Sequence, residues 1–189
     1  MILTLHVTLS LPGTLPPEVR RLATAEAADI WSPYGVVVDV AGPCGWAPDG
    51  STVLEVVTFN GRRVEPSPPS RPMWESAGWR GALGAVTFAP DGVPVPVITV
   101  FLRELDQLVA RASVLGTAET QWPAALRERV IGRVLGRVLA HEIGHIILRT
   151  AQHAGDGLMR PLQFANDLVS PSRRRFTLAP IEVERLSNW

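Results

Sequence analysis

Cysteine is nearly absent. Cys44 is the only one in 189 residues, so no disulfide can form within the chain and no cysteine-built zinc finger is available. Lysine is missing altogether: all 18 basic residues are arginine, a bias that no single fold or function requires. Net charge is missing too, because 18 acidic residues balance the arginines. With a pI near 6.9, no global attraction draws the chain to nucleic acid or to an anionic membrane surface. No apolar run approaches the roughly 18 residues that a membrane span needs. The first dozen residues alternate Leu3, Leu5, Val7, Leu9 and Leu11 with Thr4, His6, Thr8 and Ser10. That pattern reads as a strand with one buried face, not as the unbroken apolar core of a signal peptide. The expectation is a soluble protein without nucleic-acid or membrane partners, its compartment and oligomeric state left open.

What is present points to a globular domain. Hydrophobic residues make up 46% and charged residues 19% of the chain, enough apolar material for one core and, at this length, one domain over residues 1–189. After the first strand, Pro16 and Pro17 open a helix over residues 18–30, with Val19, Leu22, Ala23, Ala27 and Ile30 at helical spacing. The β-branched run 36–40 reads as a strand buried on both faces, and strand, helix, strand implies a crossover onto a partly parallel sheet. Residues 51–59 give a third strand. Residues 61–81 hold Pro66, Pro68, Pro69 and Pro72 and read as a surface loop of extended character. Strands over 83–88 and 95–102 flank a Pro-Asp-Gly turn, with Pro94 and Pro96 tolerable only at a sheet edge or strand start.

A long helix runs from Pro123 to about residue 149. Arg129, Arg133 and Arg137, four apart, read as a solvated stripe, whereas the second half is apolar nearly all round, as in a buried helix. Gly132, Gly136, Ala140 and Gly144 form a stripe of small residues on it. Glycine costs a helix interior about 1 kcal/mol relative to alanine, so the stripe implies close approach of a sheet or a neighbouring backbone. Arg173, Arg174 and Arg175 read as a solvated loop, and a last helix over 181–187 is expected to pack Val183 and Leu186 on the body.

Within the buried half lies His141-Glu142-Ile143-Gly144-His145, an H-E-x-x-H sequence. Residues four apart share a helix face, so His141 and His145 can present nitrogens to one metal ion. Glu142, turned about 100° from His141, can miss the metal and reach a water beside it. A zinc hydrolase needs that arrangement: the ion acidifies the water and polarises a carbonyl, and the carboxylate moves the proton. Burying two histidines and a glutamate without partners would cost several kcal/mol, which a metal offsets. A catalytic zinc takes a third protein ligand. His153 lies eight residues past His145, about 12 Å along an unbroken helix, so the chain must fold back for His153 to join. Asp156 is the competing oxygen ligand, and later carboxylates, Glu182 and Glu184, remain open.

HEIGHIILRTAQHAGDGLMRP (residues 141–161) resembles the zinc-binding consensus of the metzincin metallopeptidases, in its matrixin style with Leu-Met-x-Pro after the third histidine. The resemblance implies zinc ligands His141, His145 and His153, Glu142 as general base, and Met159 as the methionine of a turn beneath the metal. It also implies a metzincin-like α/β domain: a mixed, mostly parallel twisted sheet with a long active-site helix over residues 1–149 and a small C-terminal subdomain over 150–189. The strand-helix-strand opening and the edge-like strand at 83–88 are similar to that domain. The chain departs from the pattern in carrying Leu148 where metzincins place glycine, and in a spacing to His153 two residues longer. A non-glycine residue must therefore make the turn. Cys44 lies in Gly-Pro-Cys-Gly-Trp, inside the domain instead of ahead of it, and reads as an incidental thiol.

The function expected is a zinc-dependent endopeptidase acting on a peptide or protein substrate, which an edge strand at 83–88 could hold by strand addition. The alternatives are a non-peptidase zinc hydrolase with a carboxylate third ligand, and an inactive zinc-binding or interaction protein of the same fold.

Overall fold

A computed structural model describes residues 4–41, 50–60, 82–161 and 165–187. Cys44, the proline-rich segment 61–81 and Trp189 lie outside the described residues. Strands β1 (Leu5–Ser10), β2 (Val36–Val40), β3 (Thr52–Phe59), β4 (Gly84–Phe88) and β5 (Pro94–Phe101) form one sheet in the order β2-β1-β3-β5-β4. All neighbours are parallel except β4, which runs antiparallel to β5 at the edge. The fold is thus α/β around a mostly parallel sheet, as expected from the sequence. Helix α1 (Pro17–Trp31) connects β1 to β2, and α2 (Leu102–Ala110) follows β5 directly. A hairpin of β6 (Ser113–Val114) and β7 (Thr117–Ala118) leads to the long helix α3 (Ala124–Ile147), and α4 (Ala165–Val169) and α5 (Pro180–Ser187) complete the chain.

The core lies between one face of the sheet and the pair α1 and α3, which pack on each other and both touch the sheet. Val7, Leu9, Val38, Leu54, Val56, Ile98 and Val100 supply the sheet side, alternating along each strand as a single covered face requires. On the opposite face Val37, Val53, Val57 and Phe59 are exposed. Strand β2, read as buried on both faces, is instead an edge strand with Val37 and Val40 exposed, because hydrophobicity alone does not reveal whether a second layer exists. Pro96 fits inside β5 because the pairing with β3 begins only at Val97 and the β4 ladder is irregular between Val86 and Phe88. The helix α2 was hidden behind the apolar run of β5; its Leu105, Leu108 and Val109 are buried.

The small-residue stripe faces α1, not the sheet. A β-carbon built on Gly132 would fall 2.5 Å from Leu22 Cβ, and one on Gly136 2.5 Å from the Ala23 carbonyl oxygen. Trp31 closes this interface by donating its indole N–H to the Ala140 carbonyl at 3.0 Å.

The arginine stripe is the largest departure from the sequence reading. Arg129 is exposed, but Arg133 donates to the Val169 carbonyl at 2.7 Å and Arg137 is fully buried. Its guanidinium donates to Glu26 Oε1 at 2.8 Å, to the carbonyls of Asp167, Leu168 and Ser172, and lies over the Phe176 ring. Arg173, assigned to a solvated loop, holds the other Glu26 oxygen at 2.8 Å and pairs with Asp29 at 2.7 Å. The segment around 167–176 is thereby fastened to α1 and α3 by charges that helical periodicity alone cannot distinguish from a wet face. Glu26→Ala is expected to lower stability by about 3–5 kcal/mol, since it leaves Arg137 buried and unpaired, while exposed Arg129→Ala stays within about 0.5 kcal/mol; chemical denaturation of the two variants measures both. In α5 the packing also differs: Val183 is exposed, Glu182 is buried and accepts from the Ala179 N–H at 2.7 Å, and Leu186 alone of the expected pair packs against the core.

Candidate metal centre

Three histidine rings meet at the end of α3. His141 and His145 share its inner face, and both are buried. The helix then stops by a Schellman arrangement: the Thr150 N–H reaches the His145 carbonyl at 3.1 Å, the Arg149 N–H reaches the Ile146 carbonyl at 3.2 Å, and Arg149 takes φ of 48°. The turn that lets the chain fold back is thus made by a non-glycine residue, Arg149. A left-handed conformation costs a residue with a β-carbon roughly 1–2 kcal/mol. Arg149→Gly is therefore expected to be more stable than Arg149→Ala by about 1 kcal/mol, a comparison in which both variants lose the arginine side chain; equal melting curves would contradict it.

The reversal brings His153 back over the helix. His153 Nε2 lies 3.2 Å and His145 Nε2 3.1 Å from His141 Nε2, and the ligand nitrogens of the three lie within 4.8 Å of one another, close enough to hold one metal ion. Among the described residues no carboxylate joins this group. Asp156, Glu182 and Glu184 are outside it, as is His6, on β1.

The orientation of the rings decides what the cluster can bind. His141 Nδ1 lies 2.8 Å from the Leu158 carbonyl and His145 Nδ1 2.6 Å from the Thr150 carbonyl. A carbonyl only accepts, so each Nδ1 must carry the proton and each Nε2 its lone pair. Two lone pairs 3.1 Å apart cannot hydrogen-bond to each other. A shared proton is opposed by burial first, helped by the neighbouring histidines, which holds His141 down at about 3 against the pull of the Leu158 carbonyl. Burial likewise holds His145 at about 4 and lowers His153. His141 and His145 are thus neutral imidazoles whose Nε2 lone pairs point at one spot that His153 Nε2 also reaches, and far nitrogens tied to carbonyls are how metal-binding histidines are oriented.

The segment after His153 supports this arrangement from below. The Ala154 N–H donates to the Met159 carbonyl and the Leu158 N–H to the Thr177 carbonyl, both at 2.8 Å, so the carbonyl that orients His141 is itself held in place. Met159 is buried against Gly144, and a β-carbon there would collide with its sulfur. Met159 thus sits under the helical turn that separates His141 from His145. Glu142 is buried outside the cluster, and burial alone raises its carboxyl to about 8. Neither the Leu158 nor the Thr150 carbonyl has any signal in the sequence, since every residue carries one.

Compared with known proteins, the chain matches no family, no curated protein and no solved structure.

Proposed function

We propose that this protein is a zinc-dependent peptidase of the metzincin kind, with His141, His145 and His153 as zinc ligands and Glu142 as general base. The convergence of three Nε2 atoms on one spot, those of His141 and His145 with lone pairs fixed by the carbonyls behind their rings, carries the reading. Their separations of 3.1 and 3.2 Å are close to the roughly 3.3 Å that tetrahedral ligands subtend at zinc–nitrogen distances of about 2.0–2.1 Å. An all-imidazole set with no thiolate or carboxylate suits zinc, leaving a fourth position for water. Bound zinc supplies Lewis acidity, lowering the pKa of a water and polarising a carbonyl.

The rest falls to the chain's own residues. Glu142 does not compete for the metal. Its carboxylate, in a nearly dry setting that favours the protonated form, takes a proton from water and passes it to the departing amine. Substrate is held by β4. The Phe101 N–H donates to the Leu83 carbonyl at 2.9 Å, so in the alternation of an antiparallel ladder Gly84, opposite Val100, turns its N–H and C=O to the outer edge. An extended peptide added there as a strand runs beside Glu142. The edge strand, the buried helix beneath it and Met159 under Gly144 are what the sequence resemblance implies, and Arg149 answers the missing glycine.

The test is cleavage of a peptide library by the zinc-loaded protein, read by mass spectrometry. Cleavage that a chelator stops and added zinc restores is the expected result. A zinc-loaded protein that cleaves no peptide would reject the peptidase reading and leave zinc binding or another hydrolysis.

A further inference from the structure

Gly84 lies on the sheet face that α3 covers, in register with Val100. A β-carbon built there would lie 2.7 Å from Glu142 Oε1, 2.9 Å from Glu142 Cγ and 2.8 Å from Val138 Cγ1, closer than real β-carbons come to any heavy atom. Val138 and Glu142 are four apart on α3 and share the face turned to β4. Glycine is disfavoured within a strand and marks places where another group approaches the backbone. Here the approaching group is a carboxyl.

We propose that Gly84 is a positioning residue for Glu142. Its bare α-carbon forms the notch in which the Glu142 carboxyl rests, while its own N–H and C=O face the edge of β4 that no strand pairs among the described residues. The general base and the backbone of a bound peptide thereby take their registration from one residue. The effect on rate rests on the peptidase reading above; the notch rests on packing alone. With a methyl group at position 84, Glu142 Oε1 must retreat about 0.7 Å to regain ordinary contact at 3.4 Å. Displacements near 1 Å in a reacting geometry cost on the order of 10²-fold in rate.

The experiment compares Gly84→Ala, Glu142→Ala and the double variant in the full chain, loaded with zinc. G84A is expected to bind zinc as the wild type does, to keep KM within about twofold and to lose kcat by roughly 10- to 100-fold on a peptide the wild type cleaves. Its melting temperature is expected to fall by roughly 5 °C in the wild-type background, and by less when Glu142 is alanine and only the Val138 contact remains. Unchanged kcat in G84A, or equal melting shifts in the two backgrounds, would overturn the proposal. If the wild type cleaves no peptide, the peptidase reading falls and the melting comparison decides the notch by itself. If G84A does not fold, a folded double variant supports the notch and an unfolded one overturns it.

Discussion

Glu142→Gln is expected to lower the rate of peptide cleavage by about 10²- to 10⁴-fold, the usual contribution of a positioned general base, with zinc affinity left within a fewfold of the wild type. The amide fills the same space against Gly84 but cannot accept a proton, and His141 and His145 take their orientation from the Leu158 and Thr150 carbonyls and not from Glu142. Kinetics on one cleaved peptide, with zinc content measured on the same samples, check both halves. A variant that retains full activity would remove Glu142 from the mechanism. The zinc-free protein offers a second readout. Burial raises the Glu142 pKa from 4.5 to about 8, so the folded state holds a proton that the unfolded chain releases. The stability this contributes is complete below pH 4.5 and is lost as pH rises through about 8. In Glu142→Gln that decline between pH 4.5 and about 8 is expected to flatten, a change that denaturation curves at pH 5 and pH 9 would detect.

Removing zinc, or the third of its ligands, is expected to have the largest effect on the folded state. Without a cation the Nε2 lone pairs of the buried His141 and His145 face each other 3.1 Å apart, and a ligand that binds only the native state stabilises it by about 2.7 kcal/mol at 100 times its dissociation constant. His153→Ala deletes the exposed ligand and leaves the core untouched. It should abolish most of the stabilisation by added zinc while the zinc-free variant melts close to the zinc-free wild type. Acid reinforces the effect. His141 and His145 fall from the ordinary 6.5 to about 3 and about 4 in the zinc-free fold. Their contribution is therefore complete above pH 6.5 and is lost as pH falls toward those values, because the unfolded chain then binds protons that the folded chain resists. A zinc-free protein whose stability did not decline between pH 6.5 and pH 4 would contradict the burial of these rings.

Much of the site was legible in the sequence because its signals are local. The pair His141 and His145 needs only helical periodicity, and the apolar stretch around them announces their burial. His153 was harder: its place depends on a reversal at Arg149, a residue with no turn preference, driven into a left-handed conformation by the contacts on either side. Long-range contacts were not legible. Nothing near Arg137 says that Glu26, more than 100 positions earlier, neutralises it, so a buried cation resembled a wet stripe. The small-residue stripe correctly called for a close neighbour but could not say that α1, Met159 and Trp31 would supply it. Gly84 passed unnoticed because a glycine opening a strand is ordinary until the group that fills its missing side chain is known.

Zinc titration of the purified wild type and of His153→Ala, each against a chromophoric chelator, tests the metal centre most directly. One zinc per wild-type chain is the expected result, with affinity at least about 100-fold weaker in the variant, as suits loss of a ligand and not of an outer partner. A wild type that binds no zinc, or a variant that binds it as tightly as the wild type, would contradict the three-histidine site.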